Sequence, residues 1–367
     1  MFSKLTVNQL PKIWCLFNQR NFGMAPCTYN QNAIKTHFTV TLLEAADKMG
    51  RQVALLLKQS PLISELRLYD KNSSVCVVAE DLSHIDTYTK VKSYCGMSVL
   101  KHAVQGADIV VSVGGCRSQL KECSKELFEK NLDDIRSAIM HCMEFNPKAI
   151  FCIAKPPIEA FVPMAAEEYK KAGVFDPRKI IGITSVGCMR ANYFIGLISG
   201  QNPADVQCPI VGGISKNCLV ACVSQSRPGK VHPQHYKMIQ DSISIAEDEV
   251  LKSSGDGMTC LSSALGVAKF VNAQCKALSG VTNCVDCAFV KQTGHVCQFL
   301  PYMASIVRLG RHGVLSCHMP KINGYEAHCL KRACMYIKEN IKLGESFVTG
   351  DHKKDSKKTA APVKLAT

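Results

Sequence analysis

The stretch that decides the fold is IIGITSVGCMRANYFIGLISGQNPADVQCPIVGGISKNCLVACVS, residues 180–224. Its apolar start, Ile180 to Ile183, reads as a buried strand. A turn follows, then a helix from about Met189 to Ser199. A Pro203-Ala204-Asp205 connection leads to a second apolar run that ends in Gly212-Gly213. Strand, helix and strand in this order belong to an α/β protein. Nearer the N-terminus the pattern repeats. Residues 38–43 read as a strand, 48–58 as a helix with Val53, Leu56 and Leu57 apolar, and Leu66 to Tyr69 as a strand ending at Asp70. This β-α-β unit has the size used for dinucleotide binding.

The 367 residues fit about two domains of roughly 100–200 residues each. No apolar run approaches the roughly 18–20 residues of a membrane helix, so no membrane partner is expected. The first acidic residue is Glu44. Before it, Lys4, Lys12, Arg20 and Lys35 interleave with Leu5, Leu10, Ile13, Trp14 and Phe17. An acid-free, basic, amphipathic leader reads as a mitochondrial transit peptide; a disordered basic tail is the other reading. Residues 350–367 are rich in lysine and poor in apolar side chains, and are expected to be disordered. Part of the net charge of +14 therefore sits in the two ends. No basic face with base-stacking aromatics is visible, and nucleic acid is not an expected partner.

Twenty cysteines suggest metal or disulfides, but Cys152, Cys218, Cys222 and Cys260 stand singly in apolar runs, where a thiol behaves as a small hydrophobe. A reducing matrix disfavours a disulfide framework. Cys284-Val285-Asp286-Cys287, with His295 and Cys297 after it, has the ligand types of a zinc site. Packing is the preferred role, and no metal is expected.

Several short motifs, in order and almost without gaps, resemble the lactate/malate dehydrogenases, and more closely the mitochondrial-type malate dehydrogenases. The family writes T-T-L-D-x-x-R-A where this chain has Thr184-Ser185-Val186-Gly187-Cys188-Met189-Arg190-Ala191. It writes G-G-H where this chain has Gly212-Gly213-Ile214. The A-x-D-L-S-H signature falls at Ala79 to His84, on a helix that lies at the dimer interface in the family. The family's ending falls at Lys338 to Val348. The resemblance covers about residues 38–348. It implies a Rossmann-type doubly wound parallel sheet domain, residues 36–179, and an α+β substrate domain, residues 180–349, between a leader (1–35) and a tail (350–367).

The resemblance also implies chemistry, residue by residue. The phosphate loop G-x-x-G-x-x-G of the NAD site falls on Glu44 to Gly50, and only Gly50 remains. The first glycine serves a tight turn and the second lets the backbone approach the diphosphate; here they are Glu44 and Asp47. Asp47 sets a carboxylate where a diphosphate meets a helix N-terminus. Two like charges about 4 Å apart repel by roughly 1 kcal/mol in water and several times that near a protein surface; Lys48 offsets part of this. Weak NAD binding or none is expected. Asp70 stands at the ribose-binding position, with an acid ending a strand as the alternative. Asn131 stands at a cofactor contact, with a surface helix polar as the alternative.

On the substrate side, the catalytic histidine and its orienting aspartate fall on Ile214 and Gly187. The two loop arginines fall on Ser118 and Ser124, with Arg117 one place early. The asparagine that touches the substrate hydroxyl falls on Lys155. Only Arg190 is kept. A buried lysine can act as base or Schiff-base former, but Lys155 has no evident partner and reads as a solvated surface group. Cys188, beside Arg190, is read either as a thiol activated by a cation and a helix N-terminus or as packing. His232, His235, His295 and His318 match no site position and read as surface or loop histidines. Loss of a general base alone costs roughly 10²–10⁴-fold in rate. Three functions stay open. One is a non-catalytic protein of the mitochondrial matrix, a homodimer or a partner of an active relative. Another is an NAD-dependent malate dehydrogenase of the tricarboxylic acid cycle. The third is a changed enzyme or anion binder using Arg190 and Lys155.

Overall fold

The computed structural model describes residues 37–115, 123–229, 231–253, 260–298 and 300–350. The leader, the tail from residue 351, Arg117 and Ser118 lie outside the described residues. The first half alternates strand and helix. β1 (Phe38–Leu43), α1 (Lys48–Lys58), β2 (Ile63–Asp70), α2 (Ser74–Ser83) and β3 (Lys90–Cys95) form one half of the sheet with its covering helices. A short α3 (Leu100–Val104) leads to β4 (Ile109–Ser112), α4 (Ser124–Phe145), β5 (Ile150–Ile153), α5 (Ile158–Lys171) and β6 (Ile180–Ile183). The central strands β4, β5 and β6 are buried at every position, as expected for parallel strands covered on both faces. The edge strand β3 carries exposed Lys90 and Lys92, charges that discourage edge-to-edge pairing.

The second half comprises α6 (Ser185–Ser199), β7 (Ile210–Gly212), β8 (Leu219–Ala221), α7 (Tyr236–Ser253), α8 (Leu261–Leu278), β9 (Cys284–Lys291), β10 (Tyr302–Gly310), β11 (Gly313–His318) and α9 (Gly324–Thr349). Among the described residues the strands form a single sheet in the order β3-β2-β1-β4-β5-β6-β9-β10-β7-β8, with β11 on β10. The first six pair in parallel, with Val40 opposite both Leu66 and Ile109. The sheet turns antiparallel where Gly182 of β6 meets Phe289 of β9. This is the expected doubly wound domain joined to an α+β domain. A long core runs through both halves, and a second cluster around Ile195, Ile210, Ile239 and Cys287 lies under α6 and α7.

Several element bounds differ from the sequence reading. α6 starts at Ser185 rather than about Met189, so Gly187 and Cys188 sit in its first turn. Glycine is a poor helix former, but tight packing beneath Gly187 decides the conformation here. β2 starts at Ile63 rather than Leu66. β9 pairs with β10, with Lys291 opposite Tyr302, and Gly294–Gln298 between them is a 3₁₀ turn. α7 begins at Tyr236, where Ile239 and Ile243 give it a buried stripe. α9 starts at a capping box, where Asn323 accepts from the Glu326 amide and Glu326 accepts from the Asn323 amide, both at 2.9 Å.

Gly50 lies where α1 crosses the turn after β1. A Cβ there would sit 2.2 Å from the Glu44 carbonyl oxygen and 2.7 Å from Ala45 Cα. Those are backbone atoms that cannot swing aside, so the glycine serves close helix–strand packing. Gly50→Ala is expected to destabilise by about 1–3 kcal/mol, read as a lower urea midpoint at unchanged slope. An unchanged midpoint would mean the turn shifts freely.

Candidate functional site

Sheet order reverses between β1 and β4, and a crevice opens there at the carboxyl ends of the strands, the usual ligand position in such sheets. Glu44 follows β1, Gly114 and Gly115 follow β4, and Lys155 follows β5. Lys155 Nζ lies 2.5 Å from Glu44 Oε1 and 2.6 Å from Oε2. It also lies 3.7 Å from Asp134 Oδ2, and Asp134 Oδ1 accepts from Lys71 Nζ at 2.5 Å. Four alternating charges thus cross the crevice. The expectation of a solvated Lys155 is corrected: its side chain is fully buried, and a carboxylate 111 residues away in sequence is its partner.

The backbone at this pair takes a glycine-like turn. Glu44 has φ +58°, the left-handed turn that glycine adopts freely and other residues at a cost of about 1–2 kcal/mol. Gly114 and Gly115 have φ +71° and +78°. A Cβ on Gly115 would meet Asn131 Oδ1 at 2.5 Å and Lys155 Nζ at 3.0 Å, so the ion pair lies directly against this turn. Burial pushes the Glu44 carboxyl up to about 7 against the pull of Lys155. A cavity of about 200 Å³ beside it is lined by Glu44, Asp47, Asp70, Asp134 and Lys71 among others. Four carboxylates against Lys71 and a Lys155 already held by Glu44 do not fit a dianionic diphosphate. Asp70 is already engaged, accepting from the amides of Ala46 and Asn72, each at 2.9 Å. Asn131 is buried rather than a surface polar, and its side-chain amide donates to the Pro156 carbonyl at 2.8 Å. Asp47 is exposed at the start of α1 and makes no side-chain cap.

The substrate side is a cleft of about 730 Å³ between α6, α9 and the loop joining β7 to β8. Met49, Val186, Ile214 and Leu219 line it, with Ser124, Arg190 and Lys216. The two positions assigned to the base and its orienting acid touch each other. A Cβ on Gly187 would lie 2.7 Å from Leu219 Cδ1, 2.8 Å from Ile210 Cδ1 and 2.9 Å from Ile214 Cδ1. Gly187 therefore leaves the space that Ile214 helps to fill, and the two replacements form one apolar contact. Arg190 is paired, with Nη1 3.4 Å from Glu247 Oε2. Ser124 lies in the first turn of α4 at the cleft wall.

Glu159 was not foreseen. It is fully buried, and its Oε1 accepts from the amides of Ile214 at 2.7 Å and Ser215 at 2.9 Å, while Oε2 accepts from Ser215 Oγ at 2.8 Å. It clamps the loop that carries Ile214. The sequence signal was a lone acid in the apolar run from Ile158 to Ala166. Cys188 is not activated: burial and a hydrogen bond with Cys287 hold its thiol well above the usual range. The described side chains of His232, His235 and His318 lie outside the cleft lining. Among the described residues no three His, Cys, Asp or Glu side chains are grouped as a metal site, and no helix is long and apolar enough to cross a membrane.

The family described as lactate/malate dehydrogenase, NAD binding domain, matches residues 38–182, and its alpha/beta C-terminal domain matches residues 184–348. The mitochondrial malate dehydrogenase of Felis catus is 35% identical over 312 residues, 84% of this chain and 91% of the relative. That of Homo sapiens is 34% identical over the same shares. In fold, the chain is similar to the malate dehydrogenase of Cryptosporidium parvum, with a TM-score of 0.73 at 17% identity, covering 84% of this chain and 99% of the other. The lactate dehydrogenase of the same organism, complexed with lactic acid and nicotinamide adenine dinucleotide, gives a TM-score of 0.72 at 17% identity, covering 84% and 98%.

Removing one partner of a buried ion pair strands the other charge. Lys155→Met is expected to cost about 3–5 kcal/mol at pH 8, and less when combined with Glu44→Gly, which removes both the stranded carboxylate and the left-handed strain. Purely additive losses in this double-mutant cycle would show that the pair is not coupled. Asp286 gives a pH prediction. It receives the Cys287 amide at 2.7 Å and faces Ser185 Oγ, and burial pushes its carboxyl up to about 6. A carboxyl raised above its unfolded value adds stability below the unfolded pKa of about 3.9, and that stability is lost as pH rises through 6. The Tm of Asp286→Asn should therefore rise relative to the parent between pH 4 and 7; parallel curves would contradict this.

Proposed function

The chain belongs to the lactate/malate dehydrogenase family, and from that premise we propose that it keeps the family's frame without its redox chemistry, as a structural or partner-binding protein of the mitochondrial matrix. The observation that carries this reading is the contact between Gly187 and Ile214. A hydride-transfer site for a 2-hydroxy acid needs a group that takes the hydroxyl proton and a second that holds its tautomer. Both places are filled by an apolar contact with no titratable atom, and Glu159 fixes the loop in that arrangement. The cofactor side supports the same reading, because the Lys155–Glu44 pair and the surrounding carboxylates oppose a diphosphate. Location in mitochondria is supported by the names of the curated relatives and by the acid-free leader.

A dimer, of two copies or with an active relative, accords with the exposed Leu55 on α1, Val77 on α2 and Leu261 on α8, of which Val77 is 70% exposed. These helices are neighbours, with α1 packed on α8 and touching α2.

The test is calorimetric titration of the purified chain with NADH, followed by oxaloacetate-dependent NADH oxidation. Neither binding nor turnover is expected. Turnover within the roughly 1–1,000 per second of ordinary enzymes would overturn the reading in favour of an NAD-dependent malate dehydrogenase and require a different base. Binding without turnover would make the crevice a nucleotide sensor.

A further inference from the structure

A second groove lies away from the cleft, where the sheet forks. β10 pairs with β9 along its whole length on one side; on the other it meets β7 at Ala304 and β11 from Ile306 onward. Between these branches is a groove of about 420 Å³. Pro209, Val285, Ile306 and Pro320 supply apolar side chains to its lining, and Arg227, Arg308 and His318 supply the charge or potential charge. Among the described residues no carboxylate lines it. The segments before β7 and after β8 are tied across it, the Gln207 and Arg227 backbones exchanging hydrogen bonds of 2.9 and 3.0 Å.

Two arginines converge on this groove. Arg67, Arg178 and Arg190 each have a carboxylate partner. None of the ion pairs among the described residues takes Arg227 or Arg308. Arg308 is instead held by a neutral group, donating from Nη2 to Asn283 Oδ1, and His318 Nε2 lies 2.8 Å from Ser316 Oγ. Both arginines are exposed. Two guanidinium groups without an ion-pair partner, lining one groove with apolar side chains, are complementary to a segment that carries carboxylates beside an apolar side chain. Arginine binds carboxylates in bidentate fashion and is enriched among residues that dominate protein interfaces.

We propose that this groove docks an acidic, extended segment of a partner protein, with carboxylates on Arg227 and Arg308 and an apolar side chain against Ile306 and Val285. An apolar floor favours a peptide over a nucleic-acid backbone, which would offer it nothing to bury. The proposal does not depend on whether the old cleft is catalytic.

The experiment is fluorescence anisotropy of the full chain with a fluorescein-labelled short peptide in which glutamates flank a pair of leucines. Saturable binding is expected, weakening with salt. Arg227→Glu and Arg308→Glu should each weaken it about tenfold or more, as reversal of an interface charge does. Lys331→Glu, an equal charge change on exposed α9 surface, should leave it within about twofold. Far-ultraviolet circular dichroism and Tm confirm that each variant is folded. Equal weakening by Lys331→Glu, or none by the arginine variants, overturns the proposal in favour of non-specific attraction to a basic chain. A single-stranded oligonucleotide that displaces the peptide and depends on the same two arginines overturns the class of partner.

Discussion

The ion pair between Lys155 and Glu44 is the contact on which the N-terminal half turns. It joins the carboxyl ends of β5 and β1 across β4, at the point where the strand order reverses. In a doubly wound sheet that is the place left open for a ligand, and the open ends of the strands are ordinarily stabilised by the ligand's charge against backbone amides. Here a side-chain cation and a side-chain anion meet inside the opening. Desolvation of the two groups is costly, and the gain depends on close geometry. Two oxygens within 2.6 Å of Nζ and a second carboxylate at 3.7 Å supply it. Asp134 and Lys71 carry the alternation of charge out to solvent, so the buried end is not isolated.

A second contact does the same for the C-terminal half. Ile214 packs over Gly187, and Glu159 ties down the backbone of Ile214 and Ser215. These residues constrain one another sterically. An aspartate at 187 would be driven into Ile214 and Leu219, and a Cβ on Gly213 would meet Glu159 Oε1 at 2.4 Å. Glu159, Gly187 and Ile214 are thus mutually fitted. The same holds for 44 and 155, whose charges are opposite and whose atoms meet.

How much of this was legible in the sequence depended on range. β1 and α1 were read with their observed bounds, because an apolar run and a stripe at Val53 and Leu57 are local signals. The family frame was legible from ordered motifs across 38–348. The start of α6 was not, since Gly187 argues against helix by propensity while its packing partners, Ile210 and Leu219, lie far along the chain. Lys155 was misread for the same reason. A lysine alone reads as solvated, and its partner 111 residues away is invisible until the strands are laid side by side. The usable signal was joint: opposite charges had appeared at two positions that the resembling family keeps uncharged. Glu159 had a local signal, an acid within an apolar run, but no indication of what it would bind.

The two contacts differ in reversibility, and that bears on what the frame is for. The Gly187–Ile214 contact has no titratable atom, so the packing there does not change with pH. The Lys155–Glu44 pair is different, because burial leaves the Glu44 carboxyl near neutrality, where a modest change in its surroundings alters its charge. Protonation of Glu44 removes the attraction that holds Lys155 but leaves the lysine buried against Asp134. The crevice then carries one negative charge fewer. Such a change moves the crevice toward tolerance of an anion without creating the glycine turn that a diphosphate approaches. The apolar packing at Gly187 and Ile214 is therefore insensitive to pH, while the electrostatics of the crevice remain adjustable.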